Sequence, residues 1–180
     1  AYILRHSGAR GIVAEDALVP TADKALADAG VANAIRGWIG PAGAAAPVGW
    51  DAVDGWWRAG PAEAPDVLVG DDDPVRLMYT SGTESRPKGV LLSSRSLISQ
   101  YVSCAIDGGM SADDVEVHAL PMYHCAQLDC FFSVDVYLGA TSVILPGPDP
   151  AALLATIARE RVTKLFCPPT VWIALLRHPD

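Results

Sequence analysis

Leu77-Met78-Tyr79-Thr80-Ser81-Gly82-Thr83-Glu84-Ser85-Arg86-Pro87-Lys88-Gly89-Val90-Leu91-Leu92 decides how this chain is read. It opens and closes as apolar, strand-like sequence. Between the two ends lie hydroxyls, two glycines, a proline and one lysine. Such a loop suits a polyphosphate: backbone N–H groups and hydroxyls donate hydrogen bonds, glycine admits close backbone approach, and lysine adds a point charge. Composition alone leaves open a surface turn rich in turn formers. Gly82 and Lys88 have the spacing of a Walker A loop, but Pro87 precedes the lysine and Gly89 follows it. The next residues read as strand before any helix, so the P-loop scaffold is excluded.

Around this stretch the pattern predicts regular alternation. Strands are expected over 75–79, 89–92, 115–120, 141–145 and 163–167, with helices over 94–107, 125–138 and 151–161 and a last helix from 170 that the chain end cuts off. Alternation of this kind means βαβ units, a mainly parallel sheet and helices covering it, an α/β fold. Ligands in such sheets bind beyond the carboxyl ends of the strands. Residues 1–74 are less regular. Helices are expected over 1–7, 21–29 (Thr21 as N-cap) and 50–59, short strands over 10–14 and 34–39, and a Pro/Asp-rich linker over 60–74. Trp50, Val53, Trp56 and Trp57 fall on one helical face, read as core packing. The expected organisation is thus a loosely patterned region 1–74 and a βαβ core 75–180.

With 180 residues, 51% apolar and 19% charged, the chain is globular. A net charge of −8 argues against a nucleic-acid partner. No apolar run is long enough to cross a bilayer and no signal peptide is visible at the start, so the expectation is a soluble cytoplasmic protein. Cys104, Cys125, Cys130 and Cys167 have no metal-ligand spacing and read as buried reduced thiols. Asp71-Asp72-Asp73 reads as a solvated linker rather than a metal site. His118, within a strand, reads as a satisfied core residue, and His6 and His178 carry no context for chemistry.

A second polar stretch follows the strand 115–120: Leu120-Pro121-Met122-Tyr123-His124-Cys125-Ala126-Gln127. On its own, His124 reads as a helix N-terminal histidine in a turn. The two motifs together carry a resemblance. Tyr79 to Val90 agrees at ten of twelve positions with Tyr-[Thr/Ser]-Ser-Gly-Thr-Thr-Gly-x-Pro-Lys-Gly-Val, the phosphate loop of the adenylate-forming (AMP-dependent synthetase and ligase) superfamily. Glu84 and Ser85 depart from the pattern and resemble a variant found among acyl-CoA synthetases. Residues 120–127 resemble the family's aromatic-His motif. Phe166-Cys167-Pro168-Pro169-Thr170-Val171 resembles a strand-to-helix corner of the same family. The likeness is strong from residue 75, most of all to bacterial fatty-acyl-CoA synthetases, and loose before it.

The resemblance implies part of the N-terminal domain of an ATP-dependent acyl-activating ligase. Carboxylic or fatty acid and ATP give acyl-AMP and pyrophosphate, then CoA gives acyl-CoA. It implies that Thr80, Ser81, Gly82, Thr83, Glu84, Ser85, Lys88 and Gly89 bind ATP, that Thr83 touches Mg²⁺, and that Tyr123, His124, Cys125 and Ala126 adjoin the substrate. No residue here is assigned a catalytic role outright, and His124 is the one candidate. Neither the family's Tyr-Gly-x-Thr-Glu motif nor its C-terminal catalytic lysine is present, so a fragment that is inactive alone is expected, completed by the C-terminal part of the same enzyme. The alternatives are a ligase or adenylation domain that loads a carrier protein, and a non-catalytic nucleotide-binding domain.

Overall fold

Glycine and proline punctuate the first part of the chain much as the spacing predicts. In a computed structural model, described for residues 1–60, 63–80 and 86–179, helix α1 (Tyr2–Ser7) ends at Gly8 and α2 (Val19–Ala29) at Gly30, whose φ of 73° an alanine would resist. Helix α2 starts earlier than expected. A 3₁₀ turn, Asp16–Leu18, leads into it, and Pro20 rather than a Thr21 cap opens it. Proline lacks the N–H that a first turn leaves unpaired.

Two compact units emerge, Ala1–Leu68 with Tyr79–Val90, and Val69–Met78 with Leu91–Asp180. In the first, strands β1 (Gly11–Glu15), β2 (Ile35–Ile39) and β3 (Asp51–Ala52) pair in parallel in the order β1-β2-β3. Ala14, Val19, Ala22, Trp38 and Trp50 form the core. Each buried indole keeps a partner: Trp38 Nε1 donates to Asp16 (2.8 Å) and Trp50 Nε1 to Asp23 (3.2 Å). The expected tryptophan face is only partly realised. Helix α3 spans Val53–Ala59, so Trp50 lies before it, and Trp57 is 64% exposed. Trp56 lies on Gly37 of β2, where an added Cβ would meet its ring at 2.5 Å.

The second unit is built on β6 (Val115–His118), flanked in parallel by β7 (Thr141–Ile144) and β8 (Lys164–Leu165). Strand alternation turns Val117 toward an apolar core shared with Leu153 of α7 (Pro150–Glu160) and Leu175 of α8 (Pro169–Leu176). Asp149 caps α7, accepting from Ala152 N–H at 2.9 Å, with Pro150 as its first residue. Helix α8 does not run on; it closes at Leu176 with Arg177 as its cap. The mainly parallel α/β architecture is the one expected. Strands β4 (Pro74–Thr80) and β5 (Lys88–Ser93) are the exception, paired across a connection too short for a parallel crossover. Helix α4 (Ser94–Asp107), capped by Ser93, buries Leu97 but leaves Ile98 and Val102 exposed.

The helix expected over 125–138 is neither uniform nor wholly apolar. It consists of α5 (Cys125–Gln127), a π-helical stretch (Leu128–Phe132) and α6 (Ser133–Leu138). Gln127, Asp129 and Asp135 are buried along it. Arg76 of β4 pairs with Asp129. Asp135 Oδ2 meets His118 Nε2 at 2.9 Å, and Gln127 Nε2 lies 2.6 Å from His118 Nδ1. His118 is therefore the satisfied core histidine expected. Among the described residues, no helix is long and apolar enough to cross a membrane.

Glu116, on the same face of β6 as His118, is fully buried. Burial first, then the nearby Asp135 carboxylate, pushes its carboxyl up to about 8, with Asp114 adding to the rise and Lys164 opposing it. The folded state thus holds a proton that the unfolded chain releases near 4.5. In chelator-containing buffer, stability contributed by the protonated group is complete below about 4.5 and is lost as pH rises toward 8. Urea midpoints taken from pH 4.5 to 8 are expected to fall in the native chain. They should fall less in Glu116→Gln.

Candidate functional site

Two groups of residues leave strand ends carrying polar chemistry, one in each unit. In the first, β4 ends at Thr80 and β5 begins at Lys88, both exposed, with Gly89 next in the strand. Ser81, Gly82, Thr83, Glu84 and Ser85 lie outside the described residues. The flanks of the loop are held by α1. His6 Nδ1 and the Tyr79 hydroxyl are 2.7 Å apart, and the Tyr2 hydroxyl donates to the Pro87 carbonyl at 3.3 Å. The Tyr2 and His6 rings stack at 5.4 Å, and the Arg86 guanidinium lies 5.9 Å over the Tyr2 ring. Sequence reading gave His6 no context. The available signal was helical spacing, which puts residues 2 and 6 on one face.

In the second unit, the carboxyl ends of β6 and β8 border a cavity of about 350 Å³ lined by Leu120, Pro121, Tyr123, His124, Ala126, Gln127, Phe166 and Pro168. Its place in the fold is the one a parallel sheet favours for ligands. Tyr123, His124 and Ala126, expected beside a substrate, are among its lining residues, and Phe166, stacked on Phe131 at 4.3 Å, forms part of the wall. Most of the lining is apolar. Cys125 corrects the expectation of a buried thiol, since it is exposed; it stands next to the lining residues His124 and Ala126 in sequence. Cys104 and Cys130 are half-buried and Cys167 buried, all free; burial pushes the Cys130 and Cys167 thiols up and leaves them poor nucleophiles.

His124 is the N-cap of α5. Its backbone is extended, and its Nδ1 accepts from the Ala126 N–H at 3.1 Å. An accepting Nδ1 leaves the ring hydrogen on Nε2. The tautomer, open from sequence, is therefore set by the cap, and an exposed imidazole presents an N–H donor beside the cavity. The Cys125 sulfur lies 4.0 Å from the same Nδ1, which the backbone already occupies, so no base is poised for that thiol. Away from the site, the aspartate triplet behaves as linker: Arg95 meets Asp71 at 3.1 Å and Asp72 at 2.9 Å, and Asp73 accepts from Gly70 N–H.

The protein-family model described as "AMP-binding enzyme" matches residues 1–180, including the stretch before residue 75 where the motif likeness is loose. Feruloyl-CoA synthase of Amycolatopsis is 36% identical over 117 residues, covering 65% of this chain and 24% of that protein. 4-Coumarate–CoA ligase 2 of Oryza sativa subsp. japonica is 35% identical over 135 residues, covering 72% and 23%. The chain thus spans about a quarter of the curated relatives it matches. Among solved structures, ATP-bound MatB from Rhodopseudomonas palustris superposes with a TM-score of 0.81 at 30% identity, over 99% of this chain and 33% of that one.

The cap and the ring donor of His124 can be separated by substitution. His124→Ala is expected to cost about 1 kcal/mol of stability through the lost N-cap. His124→Asn should restore most of it while removing the imidazole. Urea unfolding of the three chains measures the difference.

Proposed function

The chain belongs to the AMP-binding enzyme family, and on that footing we propose that it supplies the phosphate loop and part of the acid pocket of an ATP-dependent acyl-CoA ligase. The reaction begins with attack of a substrate carboxylate oxygen on the α-phosphorus of ATP. The bond from that phosphorus to the bridging oxygen breaks, and pyrophosphate leaves with its electron pair. The thiol of CoA then attacks the acyl carbonyl, loses its proton and expels AMP. Curated relatives that are CoA ligases favour CoA over a carrier protein as acceptor.

The residues divide this work. Lys88, at the start of β5, brings an ammonium to meet the β- and γ-phosphates, and Thr80, Ser81, Gly82, Thr83, Glu84, Ser85 and Gly89, its neighbours in the motif, are proposed to bind the same nucleotide. Mg²⁺ carried with the nucleotide supplies the remaining countercharge, with Thr83 proposed to meet it. His124 Nε2–H donates to the carboxylate or to the acyl phosphate oxygen and holds the acid in line. Tyr123, exposed at the same edge, and Cys125 and Ala126 beside it are proposed to adjoin the acid. The cavity takes the remainder of the acid.

The observation that carries this reading is the cavity at the ends of β6 and β8, with His124 fixed as a donor at its edge and mostly apolar walls behind. Such a pocket favours an aryl or alkyl carboxylic acid over an amino acid. In the complete ligase containing this chain, Lys88→Ala removes a charge-assisted contact worth roughly 1.5–3 kcal/mol, so acid-dependent pyrophosphate exchange should fall roughly 10- to 150-fold. Exchange at the native rate would remove Lys88 from the reaction.

A further inference from the structure

The polar face of β6 holds a group of side chains that acyl activation does not use. Glu116 and His118 of β6 and Asp135 of α6 are all fully buried, and one donor atom from each lies within 4.8 Å of the others. Ser142 of β7, paired with Glu116 in the strand register, adds a hydroxyl 3.1 Å from His118 Nε2 and 3.0 Å from Asp135 Oδ2. Two carboxylates therefore share one enclosed space. Both Glu116 oxygens and Asp135 Oδ1 are buried without a hydrogen-bond partner. Cations nearby are engaged elsewhere: Arg76 with Asp129, and Lys164 Nζ with the Gly108 carbonyl (3.2 Å) and Asp114 (3.8 Å). Buried carboxylates left in this state call for a cation.

The histidine is oriented for one. Gln127 Nε2 stands 2.6 Å from His118 Nδ1, short for N–H···N, while Gln127 Oε1 is buried without a partner. Amide oxygen and nitrogen exchange places in such assignments. With the amide turned, Nδ1–H donates to Oε1, and the Nε2 lone pair faces Asp135 Oδ2 at 2.9 Å. A ligand histidine is held in this way, its far N–H on an oxygen acceptor.

We propose that Glu116, His118 and Asp135, with Ser142 as an additional donor, form a buried structural site for a first-row divalent ion such as Mn²⁺ or Zn²⁺. Nε2, Oδ2 and the serine oxygen are mutually 2.9–3.1 Å apart. Six-coordinate bonds of about 2.1 Å place neighbouring donors about 3.0 Å apart, so these three match one face of an octahedron. Glu116 brings a carboxylate oxygen within 4.8 Å of the His118 and Asp135 ligand atoms, with both of its oxygens unspent. The ion would tie β6 and β7 to α6 beneath the helix that His124 begins. It is independent of acyl activation, since none of its ligands is a residue proposed to touch ATP or acid.

The test is metal content, with and without the ligands. The chain is expressed in medium supplemented with Mn²⁺ or Zn²⁺ and desalted, and bound metal is measured by mass spectrometry beside Glu116→Gln and a control, Glu160→Gln, on the exposed end of α7. About one ion per chain is expected in the native protein and the control, and less than a tenth in Glu116→Gln. X-ray absorption of the native sample should show an oxygen and nitrogen shell with imidazole scattering, and needs no variant to fold. Chelator extraction should lower the unfolding temperature, and the same ion should restore it. Less than a tenth of an ion in the native chain overturns the site and leaves protons as the counterions. So does full occupancy in Glu116→Gln, or sulfur in the metal shell.

Discussion

A strand covered on both faces has to satisfy every polar group it carries. Strand β6 is such a strand, and two of its four residues, Glu116 and His118, are ionisable. Alternation sends Val117 into the apolar core and the two ionisable side chains to the other face. What lies over that face cannot then be an ordinary apolar helix. The segment from Cys125 to Leu138 supplies Gln127 and Asp135 to His118, and Asp129 to Arg76. Its π-helical middle, Leu128–Phe132, contains Asp129 and lies between Gln127 and Asp135. A wider turn shifts the register of the side chains around it, and such turns recur where function constrains a helix. The polar demand of one strand and the irregular geometry of the next helix thus belong together.

The candidate acid pocket inherits this arrangement. Strand β6 ends at His118, and six residues later His124 begins the helix that covers it. The cap on Ala126 N–H fixes the ring of His124, while Gln127, three residues on, is fixed by His118. A donor at a pocket edge acts by being in place before the substrate arrives, because reorganisation during the reaction costs rate. Here the donor is held from its own helix start and from the buried face beneath. The residues flanking the candidate phosphate loop are held by different means, with aromatic rings and hydroxyls of α1 against Tyr79 and Pro87.

Much of this was legible in the sequence because period and punctuation carried it. The alternating elements from residue 75, the Asp149 cap and the glycine ends of α1 and α2 all follow from local chemistry. The loop string and the Tyr123-His124 pair were legible as motifs, and the second falls where a parallel sheet places ligands. What the sequence hid depended on contacts between distant residues. The run 125–138 looks apolar by count, and only the strand beneath explains its acids. Trp50, Trp56 and Trp57 share a helical spacing, yet the helix begins at Val53 and separates them. Cys125 has apolar neighbours in sequence but projects at an exposed helix start.

The buried face also bears on how such a site tolerates change. Gln127 belongs to both systems, lining the cavity while holding His118 Nδ1. Its amide therefore has one orientation that suits the histidine and cannot be chosen freely to suit a substrate. With the amide oxygen on His118 Nδ1–H, the nitrogen takes the other, fully buried position, a donor and not an acceptor. The buried face thus fixes one residue of the cavity wall, although none of its own ionisable groups lines the cavity.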